Sequence, residues 1–333
     1  MHYRARDTKA VSAWIADSRG AYTHEGQTVC AGFFRYKGFV GCPAWAAGKP
    51  CDYCFLETTL RRDKELLEGV AWVDSPDWKT AWPSGVQRAR QAVAKWLQDG
   101  RTCTTCSRYR ACDRRNPHLV GNAWTQCQDR YIPMLLNAGE LADSLGFSPE
   151  ENPHVAMLLD VFSSRVTNPH GHKILLVTKA GLEQTQAHLE AREPSENVIL
   201  SWSVGNKEWA EPYWPPATRR MDAARWARER GWRVRLRMDP LGHGPVAPYR
   251  WALFRAQEMK GAWPEVVTLG NARHRGGRQL LPAANRVALY KPAIAGWRES
   301  GYTGQIAVCK ETPDMIRKIL GIEPEEMRCN CLP

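Results

Sequence analysis

Short apolar runs recur through the C-terminal two thirds of the chain, and polar stretches of helical length separate them. Alternation of this kind predicts parallel βαβ units, and hence a wound sheet or a full or partial barrel. The predicted strands cover residues 173–178, 198–204, 233–238 and 266–269, and the predicted helices cover about 149–164, 181–192, 216–230 and 246–260.

Polar residues lie where three of these strands end. Lys179 follows the first strand, Ser201, Ser203 and Asn206 lie at the end of the second, and Asp239 follows the third. In parallel α/β architectures, ligands bind at the carboxyl ends of the strands. These side chains are therefore candidates for a binding site, although helix capping or exposure to water explains any one of them equally well.

Shifts in composition divide the chain into five segments. The first two are a polar N-terminal arm and a segment with a first strand at 28–34, a cysteine-bearing loop and a short helix. The third is rich in Trp, Arg and Cys and predicts a helix at 84–98. The fourth carries the remaining sheet, and the fifth is a tail that ends in a helix. Their bounds are 1–27, 28–69, 70–130, 131–305 and 306–333.

The chain has no run of eighteen apolar residues, and its N-terminus lacks the apolar core of a signal peptide. We therefore expect a cytoplasmic protein without a membrane span, in the host cytoplasm if the protein is viral. Cysteines in that compartment are reduced and free to bind metal.

The chain of 333 residues carries a net charge of +11 and contains 15 Trp. An excess of positive charge favours a polyanionic partner, and Trp beside Arg can stack on unpaired bases. Both features also occur in proteins that bind no nucleic acid, because Trp commonly fills a core. The charge therefore supports a nucleic-acid partner without establishing one.

Three cysteines, Cys42, Cys51 and Cys54, have the spacing C-x8-C-x2-C in a loop that contains Gly and Pro. Three thiolates with no fourth close by suit an iron–sulfur cluster with one open iron, which can bind a small molecule. A structural zinc with a fourth ligand elsewhere, or a disulfide, fits the spacing as well.

A second set, Cys103, Cys106, Cys112 and Cys127, has the spacing C-x2-C-x5-C-x14-C. Four ligands complete a closed metal site, which binds either zinc or an iron–sulfur cluster. We favour a second [4Fe–4S] cluster because the first set already indicates iron–sulfur chemistry, and zinc stays the alternative.

Several motifs together resemble the spore photoproduct lyase family of radical S-adenosylmethionine (SAM) enzymes. The most specific is the run Cys-Asp-Tyr-Cys-Phe-Leu-Glu-Thr-Thr at 51–59, together with Val-Thr-Lys at 177–179. Gly41-Cys42 and the segments 139–145 and 309–313 complete the resemblance, which extends with gaps from about residue 30 to the end.

The resemblance implies an α/β fold, namely a partial (β/α)6 barrel with the cysteine-rich segment inserted after the cluster loop. It implies that Cys42, Cys51 and Cys54 hold a [4Fe–4S] cluster whose open iron binds SAM, and that a reductant such as flavodoxin or ferredoxin supplies the electron. A 5′-deoxyadenosyl radical would then form inside the barrel. By the same resemblance, the residues at the SAM site are Tyr53, Glu140, Asp143, Ser144, Lys179, Ser201, Ser203 and Asn206.

Three departures from the family pattern concern the fate of the radical. Eight residues separate Cys42 from Cys51, where the family has three. Phe55 stands where the lyases have a Tyr that relays hydrogen, and segment 139–144 lacks their hydrogen-donating Cys. A lyase must quench its thymine radical with that hydrogen, so the resemblance favours a different outcome for this chain.

The favoured interpretation is an isomerase that acts on a modified thymine in DNA. The phage thymidine-hypermodification isomerases, which resemble the lyases, move a glycyl substituent on the thymine methyl from nitrogen to carbon linkage. A target base would have to be flipped out of the duplex. A basic loop with Arg273, His274, Arg275 and Arg278 is a candidate phosphate contact, or an ordinary solvated turn.

Two alternatives stay open. One is a repair lyase of the spore photoproduct type, in which Cys309, Cys329 or Cys331 replaces the missing hydrogen donor. The other is a metal-stabilised nucleic-acid-binding protein whose cysteines are all structural.

Overall fold

The structure is a computed structural model of the chain. It describes residues 2–4, 14–17, 33–52, 54, 70–72, 78–98, 133–139, 142–206, 211–242, 246–271, 281–324 and 326–332.

The main sheet of the described residues has eight strands. These are β2 (Ile15–Asp17), β3 (Phe34–Tyr36), β6 (Leu135–Asn137), β7 (Lys173–Thr178), β8 (Val198–Ser203), β9 (Arg233–Leu241), β10 (Val266–Asn271) and β11 (Gln305–Val308). Their spatial order is β11-β10-β9-β8-β7-β6-β3-β2. All neighbours are parallel except β2, which pairs antiparallel with β3 at one edge.

A smaller antiparallel sheet joins three short strands in the order β4-β1-β5. These strands are β1 (His2–Arg4), β4 (Phe39–Val40) and β5 (Val70–Trp72).

Eight helices accompany the strands in the described part of the chain. They are α1 (Pro43–Ala46), α2 (Trp78–Gln98), α3 (Pro153–Ser163), α4 (Leu182–Leu189), α5 (Ala217–Glu229), α6 (Pro248–Glu258), α7 (Ala283–Glu299) and α8 (Pro313–Leu320). Within the described ranges, no helix is both long enough and apolar enough to span a bilayer.

The predicted α/β class with strands and helices in alternation is confirmed. The four predicted strands correspond to β7, β8, β9 and β10, and the four predicted helices to α3, α4, α5 and α6. The first strand predicted at 28–34 begins only at Phe34 in the structure, and 28–32 lie outside the described residues. The predicted helix at 56–69 and the cysteine-rich segment after residue 98 also lie outside them.

Alternation along the strands gives the sheet two different faces. In β8, Leu200 and Trp202 join the large core that the helices cover, whereas Ile199 belongs to a separate apolar cluster on the other face. In β9, Leu236 and Met238 likewise pack in the large core. We call the face opposite this large core the inner face, and it carries Ser201, Ser203, Arg235 and Arg237.

The C-terminal segment covers part of the inner face. The Asn330 backbone N–H donates to Thr268 Oγ1 at 3.0 Å, and Asn330 Oδ1 accepts a hydrogen bond of 2.9 Å from Ser201 Oγ. The Arg235 guanidinium donates to the Asn330 carbonyl at 2.9 Å. Cys331 packs against the inner-face apolar cluster. The tail therefore contacts the inner face at Ser201, Arg235 and Thr268.

A buried network fixes the carboxyl end of β10. Glu311, which is fully buried, accepts hydrogen bonds from Arg286, from the Tyr290 hydroxyl and from the Asn271 amide. Arg286 also donates to the Leu281 carbonyl at 2.7 Å. Asn271 and Leu281 flank the predicted basic loop, so this network holds both of its ends at the carboxyl edge of the sheet.

The buried pair of Tyr36 and His154 predicts acid sensitivity of the fold. The Tyr36 hydroxyl lies 2.6 Å from His154 Nδ1, and burial lowers the pKa of His154 to about 3. The unfolded chain binds a proton at His154 near pH 6.5, which the folded chain resists until about pH 3. Stability should therefore fall as pH drops through this window, by about 1.4 kcal/mol per pH unit from this residue.

Denaturant unfolding at pH 7, 6 and 5 checks this expectation. His154→Gln cannot take up the proton, so its free energy of unfolding should depend less on pH than that of the wild type. Equal slopes for the two proteins would contradict the assignment.

Candidate functional site

The loop with the first three cysteines begins at the carboxyl edge of the sheet. Gly41 has a φ of +109°, a conformation that favours glycine, and its carbonyl accepts a hydrogen bond of 3.1 Å from the Asp143 N–H. Cys42 caps the short helix α1, and its sulfur accepts from the Trp45 N–H at 3.4 Å. The local backbone therefore holds the Cys42 sulfur close to the segment that follows β6.

The three cysteines lie together. Cys51 packs with Ala44 and Trp214 in a small buried cluster, and Cys42 and Cys54 pack against the same cluster. The Cys54 N–H donates to the Cys51 carbonyl at 2.9 Å, which closes the turn between them. The structure thus brings together the three residues that the spacing selected.

The electrostatics of this cluster favour a bound cation. Burial raises the pKa of the Cys42 thiol to about 12, the Trp45 N–H opposes this, and Asp143 and the other two cysteines raise it further. Burial also raises the pKa of Cys51. Three neighbouring thiolates in a buried site need positive charge, which a coordinated metal supplies. The donor set therefore fits a metal centre.

No group of three or more His, Cys, Asp or Glu side chains in the described residues has the geometry to hold a single metal ion. A [4Fe–4S] cluster presents its irons at several corners and takes one thiolate at each, so its ligands need not converge on a point. The role of Cys42, Cys51 and Cys54 as cluster ligands stays a prediction.

A row of charged side chains leads from Cys51 into the core. Lys179 Nζ lies 3.5 Å from Cys51 Sγ and 3.1 Å from Glu211 Oε1. Glu211 also forms an ion pair with Arg220, and both side chains are at least 98% buried. Arg220 is anchored further by the carbonyls of Pro215 and Ser203. This row holds the Lys179 ammonium against the thiol cluster.

Asp143 joins the loop after β6 to the end of β7. Its carboxylate accepts hydrogen bonds from the Thr178 hydroxyl at 2.7 Å, the Lys179 N–H at 2.7 Å and the Leu145 N–H at 3.2 Å. Burial raises its pKa, and these donors oppose the rise. Asp143 therefore positions the backbone of Lys179, and a direct contact between Asp143 and a cofactor stays a prediction.

The other predicted ligand-binding residues occupy different positions. Ser144 lies beside Asp143, and its buried hydroxyl has no hydrogen-bond partner among the described residues. Ser201 donates a hydrogen bond to the C-terminal tail. Ser203 lies two residues further along β8 on the same face and is half-buried. Asn206 bonds the backbone of Gly242 and Val246 through its amide and so closes a loop. Of the predicted SAM-site residues that the structure describes, Lys179 lies 3.5 Å from the Cys51 sulfur, and Asp143 raises the pKa of Cys42.

The other predicted site residues lie outside the described residues. They are Tyr53 and Glu140 of the expected SAM site, Cys103, Cys106, Cys112 and Cys127 of the expected second metal site, and Arg273, His274, Arg275 and Arg278 of the expected phosphate contact.

Three residues of the site were not predicted from the sequence, namely Glu211, Trp214 and Arg220. Glu211 and Trp214 lie in the irregular segment between β8 and α5, and Arg220 lies in α5. A charged residue in such a segment reads as solvent-exposed, and nothing in its local pattern indicates burial. Only the tertiary contact with Lys179 identifies Glu211.

No known protein family and no curated protein matches the sequence. Among solved structures, a spore photoproduct lyase complexed with dinucleoside spore photoproduct is similar, with 12% identity and a TM-score of 0.47 over 81% of this chain and 74% of that one. Streptococcus suis SuiB bound to S-adenosylmethionine has 12% identity and a TM-score of 0.39 over 80% of this chain and 63% of that one. A HMG-CoA lyase from Brucella melitensis has 13% identity and a TM-score of 0.32 over 52% and 66%.

Removing the charge of Glu211 should destabilise the fold. In Glu211→Gln, the fully buried Arg220 loses its carboxylate partner, which we expect to cost about 3 kcal/mol or more. Denaturant unfolding of the metal-free protein measures this loss directly.

Glu229→Gln is the matched control. Glu229 pairs with Arg225 on the exposed face of α5, 3.6 Å apart, and such a pair contributes well under about 1 kcal/mol. Equal effects of the two substitutions would show that the buried row does not stabilise the site.

Proposed function

We propose that the chain is a radical SAM enzyme that acts on a modified thymine in DNA. One observation carries this proposal: Cys42, Cys51 and Cys54 pack in one cluster at the carboxyl edge of a parallel sheet, with the Lys179 ammonium against Cys51. Three thiolates would hold a [4Fe–4S] cluster and leave one iron open for SAM. Lys179 is the nearby cation for a carboxylate such as that of the methionine group of SAM.

When bound, the cluster and SAM would supply the radical chemistry that abstracts a hydrogen atom, and Cys42, Cys51 and Cys54 are the residues that would hold the cluster. The protein contributes position and shielding. Trp214 packs with Cys51, and the C-terminal tail contacts the inner face at Ser201 and Thr268, so both would limit the access of water to the site. A reductant such as flavodoxin or ferredoxin would supply the electron, and the second cysteine set would hold an auxiliary [4Fe–4S] cluster or zinc.

DNA is the proposed partner because of the charge of the chain and the basic residues that lie between Asn271 and Leu281 in sequence. The chain carries a net charge of +11, and phosphate contacts account for most nonspecific affinity for DNA. The Glu311 network fixes Asn271 and, through Arg286, Leu281 at the carboxyl edge of the sheet, where a flipped base would enter. Arg273, His274, Arg275 and Arg278 lie between these two residues in sequence.

We propose an isomerisation, in which an N-linked 5-glycyl-thymidine becomes C-linked. The substrate loses a hydrogen atom, its glycyl group changes linkage, and the substrate takes the same hydrogen back. Such a reaction is redox-neutral and needs no thiol donor. In agreement with this, buried Asp143 and Ser144 lie in the segment where the lyases carry their donor Cys.

A lyase-type reaction is the second candidate, and one observation favours it. Cys331 packs against the apolar cluster of the inner face, and the Cys309 N–H donates to the Leu269 carbonyl of β10 at 2.7 Å. A thiol in that position could give a hydrogen atom to a substrate radical in place of the missing Cys.

Anaerobic reconstitution with iron and sulfide tests the proposed function. The wild type should become brown and, after reduction with dithionite, should cleave SAM to 5′-deoxyadenosine. Cys51→Ala should lose cleavage by at least a hundredfold because the cluster loses one of three ligands, whereas Cys329→Ala should keep it. Colourless protein that contains only zinc would refute both enzymatic interpretations and favour the nucleic-acid-binding alternative.

Substrate labelled with deuterium at the abstracted position separates the isomerase from the lyase. An isomerase should return the label to its product and form little free 5′-deoxyadenosine per product, as measured by mass spectrometry. Loss of turnover in Cys309→Ala or Cys331→Ala, with protium from solvent in the product, would favour the lyase.

A further inference from the structure

An ion pair on the inner face lies near the proposed site without belonging to the cysteine cluster. Arg237 Nη2 lies 2.9 Å from Asp239 Oδ2, and the two residues lie two positions apart at the carboxyl end of β9. We propose that Arg237 and Asp239 form a subsite for a zwitterionic, amino-acid-type group of the substrate. The inference rests on the proposed function for the reaction and adds the residues that would recognise the substituent.

The strand register places Arg237 two strands away from Lys179 and at the same level along the sheet. Arg237 is paired with Ser203 of β8, and Lys179 follows Thr178, which is paired with Trp202. Lys179 is therefore level with Ser203 along the sheet. Adjacent strands are about 4.8 Å apart, so the backbones of Lys179 and Arg237 are separated by about 10 Å. A substrate beside a cofactor at Lys179 would reach Arg237.

The pair of Arg237 and Asp239 is partly exposed to solvent, whereas Arg235, two residues earlier in β9, is buried. The side chains of Arg237 and Asp239 are 22% and 19% exposed, whereas that of Arg235 is 4% exposed. Arg235 donates to backbone carbonyls of the C-terminal tail, including that of Asn330. The described residues of the tail therefore form hydrogen bonds with Arg235 and none with Arg237, although Asn330 contacts Thr268, the register partner of Arg237 in β10.

Among the described residues, the guanidinium of Arg237 donates only through Nη2, to Asp239, so its Nη1 donors are not used by these residues. Its Nε also has no hydrogen-bond partner among them, but this atom is shielded from solvent. Buried Arg220 and Arg286, in contrast, each donate to several acceptors. An arginine offers five N–H donors in a planar fork that suits a carboxylate.

The fold makes room for the carboxylate of Asp239. A Cβ built on Gly270 of β10 would lie 2.6 Å from the Asp239 carboxyl carbon. Any other residue at 270 would displace that carboxylate, so glycine leaves the space that Asp239 occupies beside Arg237. The hydrogen bond from Arg237 Nη2 then positions the carboxylate.

The charges of the pair select a zwitterion. Burial alone would lower the pKa of Arg237, but the Asp239 carboxylate raises it, so Arg237 stays charged. A phosphate would meet the Asp239 carboxylate as well as the guanidinium, and like charges in a partly buried site repel. A group with a carboxylate and an ammonium places each charge against its opposite.

Glycine is the probe for this subsite, and the reconstituted protein is saturated with SAM so that the open iron is taken. Saturation-transfer NMR titrations should show that wild type binds glycine at least tenfold more tightly than glycinamide, which lacks the carboxylate, or N-acetylglycine, which lacks the ammonium. Arg237→Gln and Asp239→Asn should each weaken glycine binding at least tenfold.

Arg233→Gln is the matched control, because Arg233 lies on the same strand and pairs with Glu265 at 2.7 Å near its opposite end. This variant should bind glycine as the wild type does. No saturable binding of glycine to the wild type, equal binding of glycine and N-acetylglycine, or unchanged binding in Arg237→Gln and Asp239→Asn would overturn the inference.

The affinity for SAM and its cleavage are measured in the same samples. Both should be unchanged in Arg237→Gln and Asp239→Asn; a parallel tenfold loss of SAM affinity would make the pair a cofactor contact and overturn the inference. Cleavage without glycine binding in the wild type refutes the subsite alone. Absence of cleavage in the wild type refutes the proposed function instead.

Discussion

The cost of holding thiolates away from water is the constraint on which the site depends. Cys42 and Cys51 are shielded enough that burial raises the pKa of both thiols. A site of this kind is stable in its charged form only when positive charge is close. The chain supplies Lys179, and a coordinated metal would supply the rest. Glu211 balances the charge of Lys179, and the buried Arg220 balances the charge of Glu211. These ion pairs connect the cysteine cluster to the core of the fold.

The carboxyl edge of the parallel sheet is where these charges can meet. Each strand ends at this edge, and the following loop brings its first residues there. Asp143 joins the loops after β6 and β7 through three hydrogen bonds, and Lys179 extends from the second of them. The inner face continues this polar surface to Arg237 and Asp239. The tail around Asn330 contacts the same face at Ser201, Arg235 and Thr268.

The polar inner face also explains why apolar residues and arginines alternate along β9. In β9, Leu236 and Met238 pack under the helices, while Arg235 and Arg237 point to the other side. A strand covered on both faces by apolar groups would read as a continuous apolar run. The arginines in β9 break that run, and their positions indicate a face that binds polar partners. Arg235 donates to a backbone carbonyl of the tail, and Arg237 pairs with Asp239 at a partly exposed position.

The sequence by itself determined the fold class, four strands and four helices, because apolar periodicity reflects burial against neighbouring helices. It also selected Cys42, Cys51, Cys54 and Lys179, since thiolate spacing and strand ends are local features. Only the tertiary structure decided that Glu211 and Arg220 support Lys179, that Asn206 closes a loop, and that the tail covers Ser201. These contacts join residues far apart in sequence, and no local pattern records which distant group a charged side chain will meet.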